Sequence, residues 1–297
     1  ANIYIEFNEI EAVAEVYRKL VENCIDQYPE AYFVLGETES YLGNYEAAIK
    51  QYNNYLNLEN PSLRIKMLAQ ESLKRAKYSI TLINNPVPFN PVNLGDNVNS
   101  DYSEYLPAIS ADEQVLVITR MLPKKKVMNR YDTEQEDFLI CYKDSNDWTK
   151  AKLLSSFINT DKSEGAQTLS ADGNYMFFTA CNRDEGIGSC DIYFTKKDNG
   201  SWLKPINIGK QVNTKNYEGQ PSISADGQTL YFASDRPGGF GDLDLYKTTI
   251  LKGGKFSEPE NLGKIINTKG SEQSPFIHPD NQTLYFSSDG HPGMGNS

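Results

Sequence analysis

The sequence contains little histidine, little tryptophan and no long apolar run. Only two of its 297 residues are histidines, His278 and His291, and each precedes a proline. Because histidine is the commonest general base and a frequent metal ligand, this scarcity argues against Ser/His/Asp, Cys/His and His-zinc chemistry. No window approaches the roughly 18 apolar residues that a bilayer-spanning helix needs. The sequence therefore predicts a non-enzyme without catalytic residues, metal, cofactor or transmembrane segment.

Basic residues are also in deficit. The chain has 29 Lys and Arg against 40 Asp and Glu, which gives a formal net charge of −11. A field of this sign repels phosphate backbones, so nucleic acid is excluded as a partner. The aromatic residues are chiefly 19 Tyr and 13 Phe, which are typical of strands.

Residues 1–83 are predicted to form a helical domain. Apolar residues recur at intervals of three and four from Ile10 to Cys24, and later helices are predicted around Tyr32, from Tyr45 and after Ser62. The segment between Tyr28 and Pro61 has the spacing of a tetratricopeptide (TPR) repeat, and the string LGNYEAAIKQY resembles that family. The residues that carry this spacing are Tyr32, Leu35, Gly36, Tyr45, Ala48, Tyr52 and Tyr55.

In such a repeat the inner helix would present Phe33, Glu37 and Tyr41. Two interpretations of this face stay open: a groove that binds a peptide, and a surface that packs inside the protein. Glu39 stands where the family usually has an aromatic residue.

Residues 84–91 contain three prolines and are predicted to be a linker, because proline cannot continue a helix and holds the chain extended. A different repeat begins after it. Ser-Ala-Asp, or His-Pro-Asp in the last copy, precedes four strand-like runs at spacings of 60, 54 and 54 residues. The aspartates are Asp112, Asp172, Asp226 and Asp280. Because a residue that recurs in every unit usually holds a turn, we interpret these aspartates as structural rather than catalytic.

Two further motifs accompany these turns. Asn-Leu/Ile-Gly followed by Val/Ile-Asn occurs at 93–99, 207–213 and 261–267, and Asp-Ile/Leu-Tyr occurs at 191–193 and 244–246. Each unit of about 54 residues thus holds four short strands, which is typical of a β-propeller. We expect residues 92–297 to form about four propeller blades, with the fourth cut short where the sequence stops.

The string SADGQTLYFASDRPGGFGDLDLY, residues 224–246, resembles the WD40-like PD40 repeat of TolB-type propellers. A TPR region followed by PD40 blades is similar to the periplasmic OmpA-family proteins of Bacteroidota, some of which are associated with the type IX secretion system. The resemblance implies an α + β multidomain protein in the periplasm, associated with the outer membrane.

The same resemblance implies a function. Such a protein would be a scaffold or adaptor that binds PorP/SprF-type outer-membrane barrels or secretion and gliding components. It would be tethered to peptidoglycan by a C-terminal OmpA-like domain absent from residues 1–297. A glycan- or ligand-binding propeller is the alternative. The gating propeller of a serine hydrolase is less favoured, because no complete Gly-x-Ser-x-Gly elbow is present.

Cys181 and Cys190 bracket eight residues at the ends of two adjacent predicted strands. A hairpin brings such positions close enough for a disulfide, which would fit an oxidising periplasm. Calcium is conceivable at Asp235, Asp242 and Asp244, although their order does not match an EF-hand and ordinary turns use the same residues. The basic run Lys124–Lys126 is predicted to be a solvated loop or a contact for an acidic partner.

Overall fold

The computed structural model describes residues 9–123 and 134–293. The chain divides into two compact units, residues 1–90 with 291–297 and residues 91–290. We call them the helical unit and the blade unit. No helix of the described residues is long and apolar enough to span a membrane.

The helical unit contains four helices in its described part: α1 (Ile10–Asn23), α2 (Ala31–Tyr41), α3 (Tyr45–Leu56) and α4 (Leu63–Asn84). Each helix contacts the next in sequence. Leu35, Ala48, Tyr52 and Tyr55 are buried between them. A Cβ atom on Gly36 would lie 2.5 Å from the Tyr52 ring, so only glycine permits α2 and α3 to approach this closely.

Glu39 is buried in this unit and has two partners. It lies 2.7 Å from an Arg18 guanidinium nitrogen and accepts a 2.8 Å hydrogen bond from the Asn44 amide. The carboxylate therefore joins α1, α2 and the turn before α3. A charged pair occupies the place that an aromatic side chain has in the TPR pattern.

The blade unit is built of antiparallel strands in four successive sheets. Blade 1 contains β1 (Glu104–Ile109), β2 (Val115–Pro123), β3 (Glu134–Asp144), β4 (Asp147–Trp148) and β5 (Lys152–Leu153). Blade 2 contains β6 (Glu164–Leu169), β7 (Tyr175–Cys181), β8 (Cys190–Asp198), β9 (Ser201–Trp202) and β10 (Ile206–Asn207). Blade 3 contains β11 (Glu218–Ile223), β12 (Thr229–Ser234), β13 (Asp244–Leu251), β14 (Lys255–Phe256) and β15 (Glu260–Asn261). Blade 4 contains β16 (Glu272–Ile277) and β17 (Leu284–Ser288).

The first three blades share one strand order. The first, second and third strands pair in sequence, and two short strands pair with different parts of the third. The first strands of successive blades, β1, β6, β11 and β16, lie beside one another. This side-by-side arrangement of innermost strands is the architecture of a β-propeller.

Apolar layers between the sheets form the core of the blade unit. One cluster joins blades 1 and 2 through residues such as Phe138 and Phe178, whose rings meet edge to face at 5.4 Å. A second cluster joins blades 2 and 3 through Phe177, Ile192 and Phe232. Because strands alternate their side chains between two faces, each sheet contributes one face to each layer.

Candidate functional site

The face predicted on the inner TPR helix lies on α2, where its three residues differ in exposure. Phe33 is half-buried, and its ring centroid lies 6.2 Å from that of Tyr52 and 6.3 Å from that of Tyr55. Glu37 is exposed and accepts a 2.7 Å hydrogen bond from the Tyr52 hydroxyl. Tyr41 is 67% exposed. Phe33 thus packs within the helical unit, while Glu37 and Tyr41 are available to a partner.

The burial of Tyr52 favours its hydrogen bond to Glu37. Burial and the Glu37 carboxylate raise the pKa of the Tyr52 phenol far above its usual range. The hydroxyl therefore stays protonated and remains a donor to Glu37. This hydrogen bond fixes the Glu37 side chain on the surface of α2.

The four recurrent aspartates lie in the turns between the first and second strands of their blades. The carboxylates of Asp112, Asp172 and Asp226 accept hydrogen bonds of 2.5–2.6 Å from the serine two residues earlier and of 2.9–3.1 Å from the backbone N–H two residues later. These bonds lower the pKa of each of the three carboxyl groups. Asp280 accepts from the Gln282 and Thr283 N–H groups instead, which likewise lowers its pKa.

A second set of carboxylates, not recognised in the sequence, lies at the start of every first strand. The members are Glu104, Glu164, Glu218 and Glu272, each four residues after a serine or threonine. Glu164, Glu218 and Glu272 have no exposed surface. Each of these three accepts hydrogen bonds from the hydroxyl and the N–H of that threonine. Their 54-residue spacing, together with the earlier Thr, is a signal that could have found them.

Arginine neutralises these buried carboxylates in blades 2 and 3. Arg183 lies 3.0 Å from Glu164, and Arg236 lies 3.2 Å from Glu218. Each guanidinium also donates to a backbone carbonyl, of Ile158 at 2.6 Å or of Val212 at 2.7 Å. Burial raises the pKa of Glu164, although Thr160 and Arg183 oppose that shift. The charged groups of these two pairs are therefore engaged in structural contacts that hold the blades together.

The repeated asparagines connect the short last strand of a blade to its third strand. In blade 2, Asn213 accepts from the Ile192 N–H and donates to the Ile192 carbonyl, both at 2.9 Å, and donates to the Asn207 side-chain oxygen at 2.8 Å. Asn207 in turn donates to Asp191 at 3.1 Å. We call the set Asp191, Asn207 and Asn213 an asparagine bridge.

Blade 3 repeats the asparagine bridge with Asp244, Asn261 and Asn267. Asp244 also accepts hydrogen bonds from the Phe240 and Gly241 N–H groups, at 2.6 and 3.0 Å. Asp235 accepts from the Tyr217 N–H at 2.7 Å. Two of the three aspartates considered for calcium therefore hold the backbone. Among the described residues no group of three or more His, Cys, Asp or Glu side chains is arranged to hold a metal ion.

A cavity of about 790 Å³ is lined by the first strands of all four blades. One non-glycine residue in each of these strands has a left-handed backbone, with φ between 48° and 55°: Leu106, Ala166, Gln220 and Ser274. Each occupies the register shift between the first and second strands. The repeated bulge bends the strand where it borders the cavity. Because the four side chains share no chemistry, sequence reasoning did not find this feature.

Cys181 and Cys190 face each other in the β7–β8 pairing and are joined by a disulfide. Cys141 is buried, and burial raises the pKa of its thiol. Cys24 is partly exposed and free. The predicted basic contact Lys124–Lys126 lies outside the described residues.

Comparisons with known proteins give structural neighbours only. No family model matches the chain, and no curated protein matches it. A chain assigned as TolB from Agrobacterium tumefaciens is 16% identical with a TM-score of 0.42, and the match covers 64% of this chain and 55% of that one. A puromycin-hydrolysing peptidase of Mycobacterium tuberculosis is 13% identical with a TM-score of 0.38, covering 59% and 26%. A Trypanosoma rangeli sialidase is 14% identical with a TM-score of 0.38, covering 63% and 34%.

This chain therefore spans about half of the TolB chain and a smaller share of the two enzymes. The assignment of the propeller rests on the strand pairing of its blades.

Proposed function

We propose that this protein is a non-enzymatic scaffold that binds other proteins through its helical unit. One observation carries the proposal: the recurrent carboxylates of the blade unit are engaged in structural hydrogen bonds, while Tyr41 and Glu37 stand exposed together on α2. A tyrosine at an interface supplies a large rigid contact surface and a polar tip. A fixed carboxylate beside it adds selectivity for a partner with a basic or amide group.

We place this scaffold in the periplasm, associated with the outer membrane. The disulfide between Cys181 and Cys190 supports an oxidising compartment, since such bonds persist mainly in exported proteins. The sequence resemblance supports PorP/SprF-type barrels or type IX secretion components as partners. It also supports a peptidoglycan tether through an OmpA-like domain outside residues 1–297.

A second candidate function is ligand binding in the cavity. Its volume of about 790 Å³ is in the range of small-molecule sites. The repeated left-handed bulges beside it are the kind of local backbone strain that clusters at binding sites. An uncharged ligand such as a glycan segment would suit this lining, because the first-strand residues that border the cavity carry no charge of either sign.

Affinity purification from detergent-solubilised envelopes tests the scaffold proposal. We expect the tagged protein to recover outer-membrane proteins, and Tyr41→Ala to reduce the recovery of those proteins about tenfold, as loss of an interface hot spot does. Tyr28→Ala is the matched control, because Tyr28 is also an exposed tyrosine of the helical unit, at 54%. Recovery of the protein alone, or an equal effect of both substitutions, would contradict the proposal.

A further inference from the structure

The residue after each of the four recurrent glutamates holds the same place in its first strand. In chain order these residues are Tyr105, Gly165, Gly219 and Gln273. Each pairs with a second-strand residue directly before the register shift. Because the first strands lie beside one another, the four residues form a row across the start of the strands. Two of them are glycines, so side chains from other segments can lie over β6 and β11.

A carboxylate from β3 lies over the first of these glycines. The Oε2 atom of Glu136 is 3.6 Å from the place that a Cβ atom on Gly165 would take. The other oxygen, Oε1, accepts a hydrogen bond from the Tyr105 hydroxyl. Among the described residues no group donates to Oε2, and no lysine or arginine forms an ion pair with Glu136. This oxygen is therefore available to a ligand.

A phenol lies over the second glycine. A Cβ atom on Gly219 would be 2.6 Å from the Tyr217 ring carbon that bears the hydroxyl, so only glycine permits this ring position. The Tyr217 N–H is fixed by Asp235, at 2.7 Å, while its hydroxyl has no hydrogen bond within the described part of the chain. Burial and the charges of Glu136 and Asp235 raise the pKa of Tyr217 to about 12. The hydroxyl stays protonated, and its oxygen remains an acceptor.

Glu136 does not belong to the blade repeat. It pairs with Met121, which lies two residues after the threonine that blades 1 and 2 share in their second strands. The corresponding pair of blade 2 is Cys181 with Cys190, and blade 3 has Leu243 at the place of Glu136. A structural role common to the blades therefore does not explain this carboxylate.

The row thus offers hydrogen-bond acceptors on two adjacent strands. Glu136 provides a carboxylate oxygen over β6, and Tyr217 provides a phenol oxygen over β11. An ammonium group carries three N–H donors and no acceptor, it makes charge-assisted hydrogen bonds to carboxylates, and aromatic rings attract it. We propose that Tyr105, Glu136 and Tyr217 form a binding site for a primary ammonium group, carried by a lysine side chain of a partner protein or by a small amine.

The contact between Tyr105 and Glu136 favours an ammonium over a guanidinium. Arginine binds a carboxylate best through two parallel hydrogen bonds, one to each oxygen. Here the Tyr105 hydroxyl occupies Oε1, and burial together with Glu136 raises the pKa of this phenol far above its usual range, so it stays a donor. Lysine acts as a point charge and needs only the remaining oxygen. The net charge of −11 also attracts a cation at long range.

Ligand-observed NMR with short peptides tests the site. The probe is Ac-Gly-Lys-Gly-NH2, and its dissociation constant is compared with those of the Nε-acetyl-lysine and arginine forms of the same peptide. We expect the lysine peptide to bind about tenfold more tightly than the acetylated form, because only the former carries the charge. The arginine peptide should bind more weakly than the lysine peptide. n-Butylammonium distinguishes the two sources: affinity equal to that of the lysine peptide assigns the site to a small amine, and weaker binding assigns it to a protein side chain.

Three substitutions locate the binding. Glu136→Gln keeps an acceptor for Tyr105 but removes the charge, and it should weaken binding of the lysine peptide about tenfold. Tyr217→Phe keeps the ring and loses the oxygen, so it should weaken binding about threefold. Glu134→Gln is the matched control, because it removes the same charge from an exposed side chain two residues earlier on β3, and it should change the affinity less than about twofold. Equal binding of the lysine and acetyl-lysine peptides, or equal effects of Glu136→Gln and Glu134→Gln, would overturn the proposal.

Discussion

Blades 2 and 3 use the same buried charge pair but secure the end of the second strand with different chemistry. Glu164 and Glu218 are fully buried beside Arg183 and Arg236. Each guanidinium carbon also lies 4.8 Å from the centre of a tyrosine ring of its blade. The threonine, glutamate, arginine and aromatic ring therefore form one unit, which is repeated in both blades.

The difference lies where the second strand ends. Blade 2 closes the loop between its second and third strands with the Cys181–Cys190 disulfide. In blade 3, Ser234 donates to Glu218 at 2.8 Å, and Asp235 accepts from the Tyr217 N–H. The buried charge pair is therefore the element that the two blades share. The disulfide joins the second strand of blade 2 to its third strand, whereas the Ser234 and Asp235 hydrogen bonds of blade 3 join the end of the second strand to the start of the first.

Removing a buried glutamate gives the largest expected effect. Glu218→Ala leaves Arg236 without its carboxylate, which should cost about 3–5 kcal/mol in the free energy of unfolding. Urea unfolding followed by tryptophan fluorescence measures this in the blade unit, because both tryptophans, Trp148 and Trp202, lie there. Glu164→Ala should have an effect of the same size.

A loss below about 1 kcal/mol for either alanine variant would show that the pair is not the shared stabilising element. Glu218→Gln is the graded control. It keeps the shape of the side chain and an acceptor for Thr214 but removes the charge. Its free energy of unfolding should lie between that of the natural protein and that of Glu218→Ala.

The disulfide gives the second largest effect. Cys181→Ser with Cys190→Ser should lower the free energy of unfolding by about 2–3 kcal/mol, since the bond closes a short loop in the unfolded chain. The measurement is the same urea titration without reductant. With reductant present the natural protein should fall to the level of the double variant. Cys24→Ser, at a free thiol, should change neither result.

The blade repeat could be predicted from the sequence, because its turns depend on particular side chains that recur in each blade. The Ser-Ala-Asp turns and the Asp-Ile/Leu-Tyr strands recur with recognisable residues, and the structure places four sheets at that spacing. Residues 153–159 occupy the same place in blade 1 as the Asn-Leu/Ile-Gly motifs at 207–213 and 261–267 do in blades 2 and 3. They were not recognised in the sequence, because Leu153 and Ser155 stand where the motif has Asn and Gly. Their backbone still bonds like the others, so strand pairing survives where the side-chain pattern is lost.

The buried glutamates show a second limit. A glutamate at the start of a strand usually indicates solvent exposure, and its partner arginine is 18 or 19 residues away in the chain. The pairing of the first and second strands of one blade brings the arginine to the glutamate, and the segment before the first strand supplies the threonine and the carbonyl. In the helical unit Glu39 likewise has a partner distant in sequence, since Arg18 lies 21 residues earlier.

The serine near the end of the second strand of blade 3 gives a smaller effect. Ser234→Ala removes the hydroxyl that donates to Glu218 and should cost about 1 kcal/mol. Ser201→Ala, at an exposed serine of the blade unit, is the control and should be neutral. The urea titration described for Glu218→Ala measures both. If Ser234→Ala were as costly as the loss of the disulfide, the hydrogen bond of blade 3 would hold the end of the second strand as strongly as the covalent bond of blade 2 does.

The smallest effect concerns the turns that blades 2 and 3 have in common. The Ser170 hydroxyl and the Asn174 N–H hold the pKa of Asp172 below its usual value, and the same bonds act on Asp226. A carboxyl whose pKa is lowered by folding stabilises the folded state above its unfolded pKa, and the contribution disappears as the pH falls through the folded pKa. Asp172→Asn should therefore lose a few tenths of a kcal/mol at neutral pH, because the site is exposed and screened. It should also make stability fall less steeply as the pH falls below about 5. Asp226→Asn should have the same effect on stability, because the two turns make the same hydrogen bonds. A loss of stability in only one of the two variants would show that the disulfide of blade 2 alters its turn as well.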